Sequence, residues 1–159
     1  MIGNDKVLRE IEQLQYAYAR CLDDDHLERW PGMFAPDRCR YEVIPRENLQ
    51  IDPPLAILMC DSPGMLHDRV RSLRQANVYN LHYPRRQITN VEIVGESADG
   101  FSVRANYVLF QTTLEGRTEL YSVGHYRDRV VSIDGDWRFR EKRVIVDTFS
   151  IPHLLAVPL

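Results

Sequence analysis

The stretch from Arg86 to Phe149 constrains the fold most. Four segments in it, Arg86–Val94, Phe101–Thr113, Thr118–Val131 and Trp137–Phe149, are crowded with Val, Ile, Tyr, Phe and Thr. Such residues suit a pleated, half-buried surface. Short turn signals separate the segments: Gly95 to Gly100, Leu114-Glu115-Gly116, and Ser132-Ile133-Asp134-Gly135. An Asp-Gly between two alternating runs is a strong hairpin signal, because the turn needs positive φ. The breaks are too short for the dozen or more residues of a parallel crossover, so successive strands pair antiparallel. One long meander is expected, with strands beyond the usual five or six residues and therefore a twisted, curved sheet.

The first half reads as helices and loops. Val7, Ile11, Leu14, Tyr18 and Leu22 fall on one helical face, predicting a helix from Asn4 to about Leu22. A second short helix is expected to carry Leu27, Trp30, Met33 and Phe34, with Pro31 as its weak point. Cys39 to Ile44 can form a first strand, and Glu47 to Pro54 reads as a loop before the short apolar run Leu55 to Met59. Ser62 followed by Pro63 is a helix start. That helix should run to about Asn77, turning Leu66, Val70 and Leu73 inward and Arg69, Arg71 and Arg74 toward solvent. Val78 to Pro84 should return the chain to the sheet. Helices first and a meander last give an α+β class. A curved antiparallel sheet wrapped over N-terminal helices makes a cone, which resembles the nuclear-transport-factor-2-like (cystatin-like) fold.

At 159 residues the chain fits a single domain over residues 1–159 that buries roughly 70% of its unfolded surface. A net charge of -3 offers no basic surplus for nucleic acid. No apolar run approaches the ~20 residues of a membrane span and no leader pattern opens the sequence, so a cytoplasmic location is expected. Cys21, Cys39 and Cys60 share no CxxC spacing, which indicates neither a disulfide framework nor a zinc ribbon.

Candidate chemistry is sparse. Asp23-Asp24-Asp25-His26 could hold a divalent cation or an acid/base pair. Asp is also the ordinary residue of a helix–helix turn and cap, which is the favoured reading. The five histidines form no HxH or HExxH pattern; a facial triad would need convergence of residues such as His82, His125 and Asp147. Ser62 lacks a nucleophile elbow and reads as a cap. The Arg-rich stretches around Arg85 and Arg140 read as a solvated sheet face or a polar interface rim. In the last strand Trp137 and Phe139 alternate with Arg138 and Arg140, whereas Val144, Ile145 and Val146 are apolar in succession. Both faces there need cover, which predicts a tail or another subunit against them.

Several blocks resemble the small (β) subunits of aromatic-ring-hydroxylating dioxygenases. They are Tyr18-Ala19-Arg20-Cys21-Leu22-Asp23-Asp24-Asp25 with Leu27-Glu28-Arg29-Trp30 and Phe34, and Asp61-Ser62 with Leu66-His67-Asp68-Arg69-Val70-Arg71-Ser72-Leu73. Pro84-Arg85 before Ile88-Thr89-Asn90-Val91 is similar too, as are Trp137-Arg138-Phe139 and Arg143-Val144-Ile145-Val146-Asp147. The resemblance implies a chain with no catalytic, cofactor or metal residues of its own. It implies a large (α) partner subunit holding a Rieske 2Fe-2S cluster and a mononuclear iron, and a homotrimeric core within an α3β3 hexamer. The complex would be an NAD(P)H-dependent oxidoreductase of aromatic-compound catabolism, and the Leu-Leu-Ala-Val-Pro-Leu ending is similar to members acting on aromatic carboxylates. The absence of paired Cys and His spacings agrees with this, since a Rieske centre requires them.

On that reading Trp137, Arg138, Arg140, Val144, Val146, Leu154, Leu155 and Leu159 are candidate subunit-interface residues, with the tail Ile151 to Leu159 expected against a neighbouring subunit. The rival is a stand-alone enzyme resembling ketosteroid isomerase or the polyketide cyclases. Tyr16, Tyr18, Asp24, Tyr107, His125 and Asp147 would then supply proton-transfer groups in the cone. A third reading is a small-ligand-binding module. Fold alone separates none of the three.

Overall fold

The computed structural model of the chain describes residues 2–76, 82–148 and 157–159. Helix α1 (Ile2–Asp23) lays Ile11, Leu14, Tyr18 and Leu22 into the core, as their spacing requires. The expected second short helix is instead two 3-10 turns, Leu27–Arg29 and Pro31–Met33. Pro31 has no N–H to continue an α-helical ladder, so the chain tightens into separate turns. They still bury Leu27, Trp30 and Phe34. Strand β1 (Arg40–Pro45) follows, and within the expected loop a 3-10 turn forms over Arg46–Gln50. Strand β2 (Leu58–Cys60) leads to helix α2 (Pro63–Ala76). The Met65 N–H donates to the Ser62 hydroxyl at 3.3 Å, so Ser62 does cap α2. Leu66, Val70 and Leu73 are buried; Arg71 and Arg74 are exposed, and Arg69 is half-buried.

The meander comprises β3 (His82–Ser97), β4 (Gly100–Thr113), β5 (Thr118–Ile133) and β6 (Asp136–Val146). Each strand pairs antiparallel with the next. At the last turn Asp134 and Gly135 both adopt positive φ, 53° and 85°, as the Asp-Gly signal demands. Register shifts in all three pairings mark bulges that bend the sheet around α1. Strand β3 begins at His82, four residues before the expected Arg86, and β6 stops at Val146, where the expected strand ran on to Phe149. Phe149, Asn77 and the Val78 to Leu81 part of the return lie outside the described residues. The sheet order is β2-β1-β6-β5-β4-β3, and β1 runs parallel to β6 with Tyr41 opposite Lys142 and Val43 opposite Val144. Meander logic does not reach this pairing, because it joins segments about a hundred residues apart.

Two expectations about cover change. Val144 and Val146 point into the helix-facing core, and Ile145 on the other face is equally buried beside its register partner Ile44. The doubly apolar stretch is therefore covered by this chain itself and leaves no bare surface. The described end of the tail, residues 157–159, likewise docks on the chain's own core, where Leu159 is only 1% exposed. Its groove is intramolecular rather than a neighbour's, while Leu154 and Leu155 lie outside the described residues.

Candidate functional site

The cone interior is the natural place to look for chemistry in such a fold. Its walls are aromatic. Tyr107 stacks on Tyr126 at 4.9 Å, and Tyr18 meets Tyr126 and Phe139 edge-on at 6.0 and 5.7 Å. Gly124 permits the Tyr107 approach, since a Cβ there would lie 1.9 Å from the Ile145 carbonyl and 2.9 Å from the Tyr107 ring. Inside these rings sits Lys142. Its ammonium donates to Asp128 Oδ2 at 2.9 Å and Gln15 Oε1 at 3.0 Å, and lies 3.7 to 4.4 Å from the centroids of the Tyr126, Tyr18 and Phe139 rings. Gln15 Nε2 closes the triangle by donating to Asp128 at 2.6 Å. Both charged side chains are fully buried. Burial lowers the Lys142 pKa to about 8 against the pull of Asp128, and burial raises that of Asp128.

The mouth of the cone is closed by the chain's own last residues. The Leu159 carbonyl accepts from Tyr18 Oη at 2.5 Å, and the Leu159 N–H donates to Tyr41 Oη at 2.9 Å. Arg86 donates to the Pro158 carbonyl, and its guanidinium and backbone N–H both reach Asp23. Burial drives the Tyr18, Tyr41 and Tyr126 hydroxyls well above their usual range and Tyr107 to about 12. These phenols are held neutral, Tyr18, Tyr41 and Tyr107 as hydrogen-bonding groups and Tyr126 through its ring, since its hydroxyl has no hydrogen-bond partner among the described residues.

The sequence-selected cone candidates do not converge. Tyr18 and Tyr107 are inside the cone, where Tyr107 Oη pairs with Ser122 at 2.9 Å. Tyr16 is half-buried on α1. Asp24 is exposed, 3.7 Å from Arg85. Asp147 follows β6 on the surface, 3.7 Å from Arg46. His125 alternates with the inward Tyr126 and so faces away from the helices, in an open cleft of about 840 Å³ with Asn106, Arg104, Arg127 and Arg143. Burial and then Arg127 lower its pKa. The Asp23-Asp24-Asp25 run makes ion pairs in place of the expected cap. The N-cap of the next turn is His26 with no side-chain cap bond, while Asp23 forms the buried Arg86 pair and Asp25 with Glu28 binds Arg74 of α2. Sequence reasoning missed Gln15, Arg86, Asp128 and Lys142, although Asp128 shares its strand parity with the inward Tyr126 and Val130.

The interface candidates also resolve into places. Trp137 packs on Phe101 and donates from Nε1 to Glu10 of α1 at 2.8 Å. Arg140 reaches Asp37 and the Arg38 carbonyl at 2.7 and 2.6 Å, and Arg138 is half-buried beside Asp136. No three His, Cys, Asp or Glu gather as a metal site among the described residues, so His82, His125 and Asp147 make no facial triad there. Cys21, Cys39 and Cys60 are buried with thiol pKa values raised by burial, which makes them poor ligands. These donors do not suit an iron–sulfur cluster. Among the described residues no helix is long and apolar enough to cross a membrane.

Comparison with known proteins assigns this arrangement. Residues 17–153 match the family described as the ring hydroxylating beta subunit. The chain belongs to that family. It is 42% identical to the anthranilate 1,2-dioxygenase small subunit of Burkholderia cepacia, covering 94% of this chain and 92% of that one. It is 32% identical to the terephthalate 1,2-dioxygenase terminal oxygenase subunit beta 1 of Comamonas sp, covering 94% and 97%. A crystal structure assigned to the beta subunit of an aromatic-ring-hydroxylating dioxygenase from Novosphingobium aromaticivorans superposes with TM-score 0.90 at 41% identity, covering 99% of each chain. One assigned to a scytalone dehydratase from the same organism gives TM-score 0.72 at 19% identity, covering 99% and 96%, and shows the shared cone fold alone. As a ring-hydroxylating beta subunit, the chain is the small subunit of an aromatic-ring-hydroxylating dioxygenase.

Proposed function

We propose that this beta subunit is the non-catalytic, structural partner of a large subunit that carries the Rieske 2Fe-2S cluster and the mononuclear iron. One observation carries the reading. The cone, where a stand-alone enzyme of this fold would hold its substrate, is filled by Lys142, Asp128 and Gln15 and closed by residues 157–159. Of the groups that could move protons, Asp24 stands apart beside Arg85, while His125 and Asp147 share the sheet face turned away from the helices, outside the cone. The isomerase-like reading and the ligand-module reading therefore both lack these groups inside the cone. A cytoplasmic α3β3 assembly acting on aromatic carboxylates fits the substrates named in the anthranilate and terephthalate relatives.

The test is turnover in the reconstituted oxygenase. His125→Ala and Asp24→Asn should leave product formation within about threefold of wild type, because general acid–base groups contribute about 10²–10⁴-fold. A loss of about a hundredfold with assembly intact would place catalysis in this chain.

A further inference from the structure

The outer face of the sheet, opposite the helices, carries one row of side chains across five strands. The register aligns Glu92 of β3, Arg104 of β4, Arg127 of β5, Arg143 of β6 and Glu42 of β1. At strand spacing the row spans roughly 19 Å. Its ends are satisfied: Arg104 pairs with Glu92 and Arg143 with Glu42, each at 2.9 Å. Its centre is not. Arg127 is exposed, lies between two arginines, and donates only to His125 Nε2 at 3.2 Å, with no carboxylate contact among the described residues. Like charges directly opposite one another destabilise a sheet. The charge order acid, base, base, base, acid therefore leaves an uncompensated positive centre with guarded ends.

We propose that this row is the docking face for a carboxylate-bearing surface of the large subunit, with Arg127 as its anchor. The inference rests on the proposed structural role and adds the place of contact. A protein surface suits the geometry better than a small anion. The cleft of about 840 Å³ is open along the sheet, whereas small-ligand sites enclose most of their ligand. Arginine is enriched at protein interfaces and forms bidentate carboxylate pairs. Glu92, exposed at one end, disfavours a misplaced acidic partner there, while Glu42 at the other end is buried between Arg40 and Arg143 and neutralises that end of the row.

The experiment is co-expression of the chain with its cognate large subunit, with association measured by sedimentation at about 50 and about 300 mM salt. Arg127→Glu should weaken association at least about tenfold at the lower salt and flatten its salt dependence. The isolated chain should keep its thermal stability and its own oligomeric state, and Arg127→Lys should retain most of the association. Unchanged association of Arg127→Glu, beside normal wild-type assembly, overturns the docking face and leaves the structural role standing. Loss of the isolated chain's own oligomer overturns it in favour of a second copy on this face. Benzoate binding to the isolated wild type that Arg127→Glu abolishes overturns it in favour of a small-anion site. Failure of the wild type itself to associate overturns the structural role and the docking face together.

Discussion

The buried Lys142–Asp128–Gln15 triangle makes a sharp energetic prediction. Asp128→Asn leaves a fully buried ammonium facing the Gln15 carbonyl, a neutral amide and three rings. Removing one member of a buried pair typically costs about 3–5 kcal/mol, a large share of a total stability of about 5–15 kcal/mol. For a domain of this size that lowers Tm by about 6–20 °C. Removing both charges with Lys142→Met and Asp128→Leu strands only the two polar ends of Gln15, at about 1–3 kcal/mol. Adding Gln15→Leu removes those as well, and the triple variant should return to within about 2 kcal/mol of wild type. Urea unfolding at pH 7 with unchanged m-values reads all three. An Asp128→Asn loss under about 1 kcal/mol would mean water reaches the pair. A triple variant less stable than Asp128→Asn would mean the polar network stabilises the fold beyond what apolar packing replaces.

Lys142 also gives a pH signature. Its pKa is lowered to about 8 in the fold from 10.5, so between those values the unfolded chain binds more protons and stability should rise with pH. The buried thiols of Cys21, Cys39 and Cys60 oppose this once unfolded thiols ionise at about 8.5, and the buried tyrosines oppose it at about 10. The Lys142 contribution is therefore read from about pH 8 to 10 as the difference in pH slope between wild type and Lys142→Met in thermal melts, the wild type rising more or falling less. Deleting residues 157–159 should destabilise the isolated chain, because it exposes the Leu159 site and strands the Tyr18 and Arg86 donors and the Tyr41 acceptor; an unchanged Tm would contradict the docked tail. Arg86→Ala should cost about 3–5 kcal/mol through its buried pair with Asp23. Arg74→Ala should cost far less, since its partners Asp25 and Glu28 are solvent-screened, and chemical denaturation compares the two.

What was legible in the sequence is what local chemistry decides. Period-two runs and the Asp134-Gly135 turn gave the meander, and Ser62-Pro63 gave the start of α2. The parallel β1–β6 pairing stayed hidden because no local signal couples Tyr41 to Lys142. The acid–base candidates failed for a related reason. Asp24, His125 and Asp147 are chemically suitable, but strand parity turns His125 and Asp147 to the sheet face away from the helices, and Asp24 lies beside Arg85, so none of the three faces the cone interior. Lys142 sits in Arg140-Glu141-Lys142-Arg143, a run that reads as solvated, yet it shares parity with the buried Val144 and Val146. A charge on an apolar parity, opposed by Asp128 on the next strand, was the available sign of the buried network.

The central claim is that this chain builds the oxygenase without holding its chemistry. Co-expression with the large subunit, followed by mass and iron determination on the purified complex and on each separated subunit, tests it most directly. The account predicts a stable mixed complex, with all stoichiometric iron following the large subunit. Stoichiometric iron retained by this chain, or a chain that stays apart from the large subunit, would contradict it.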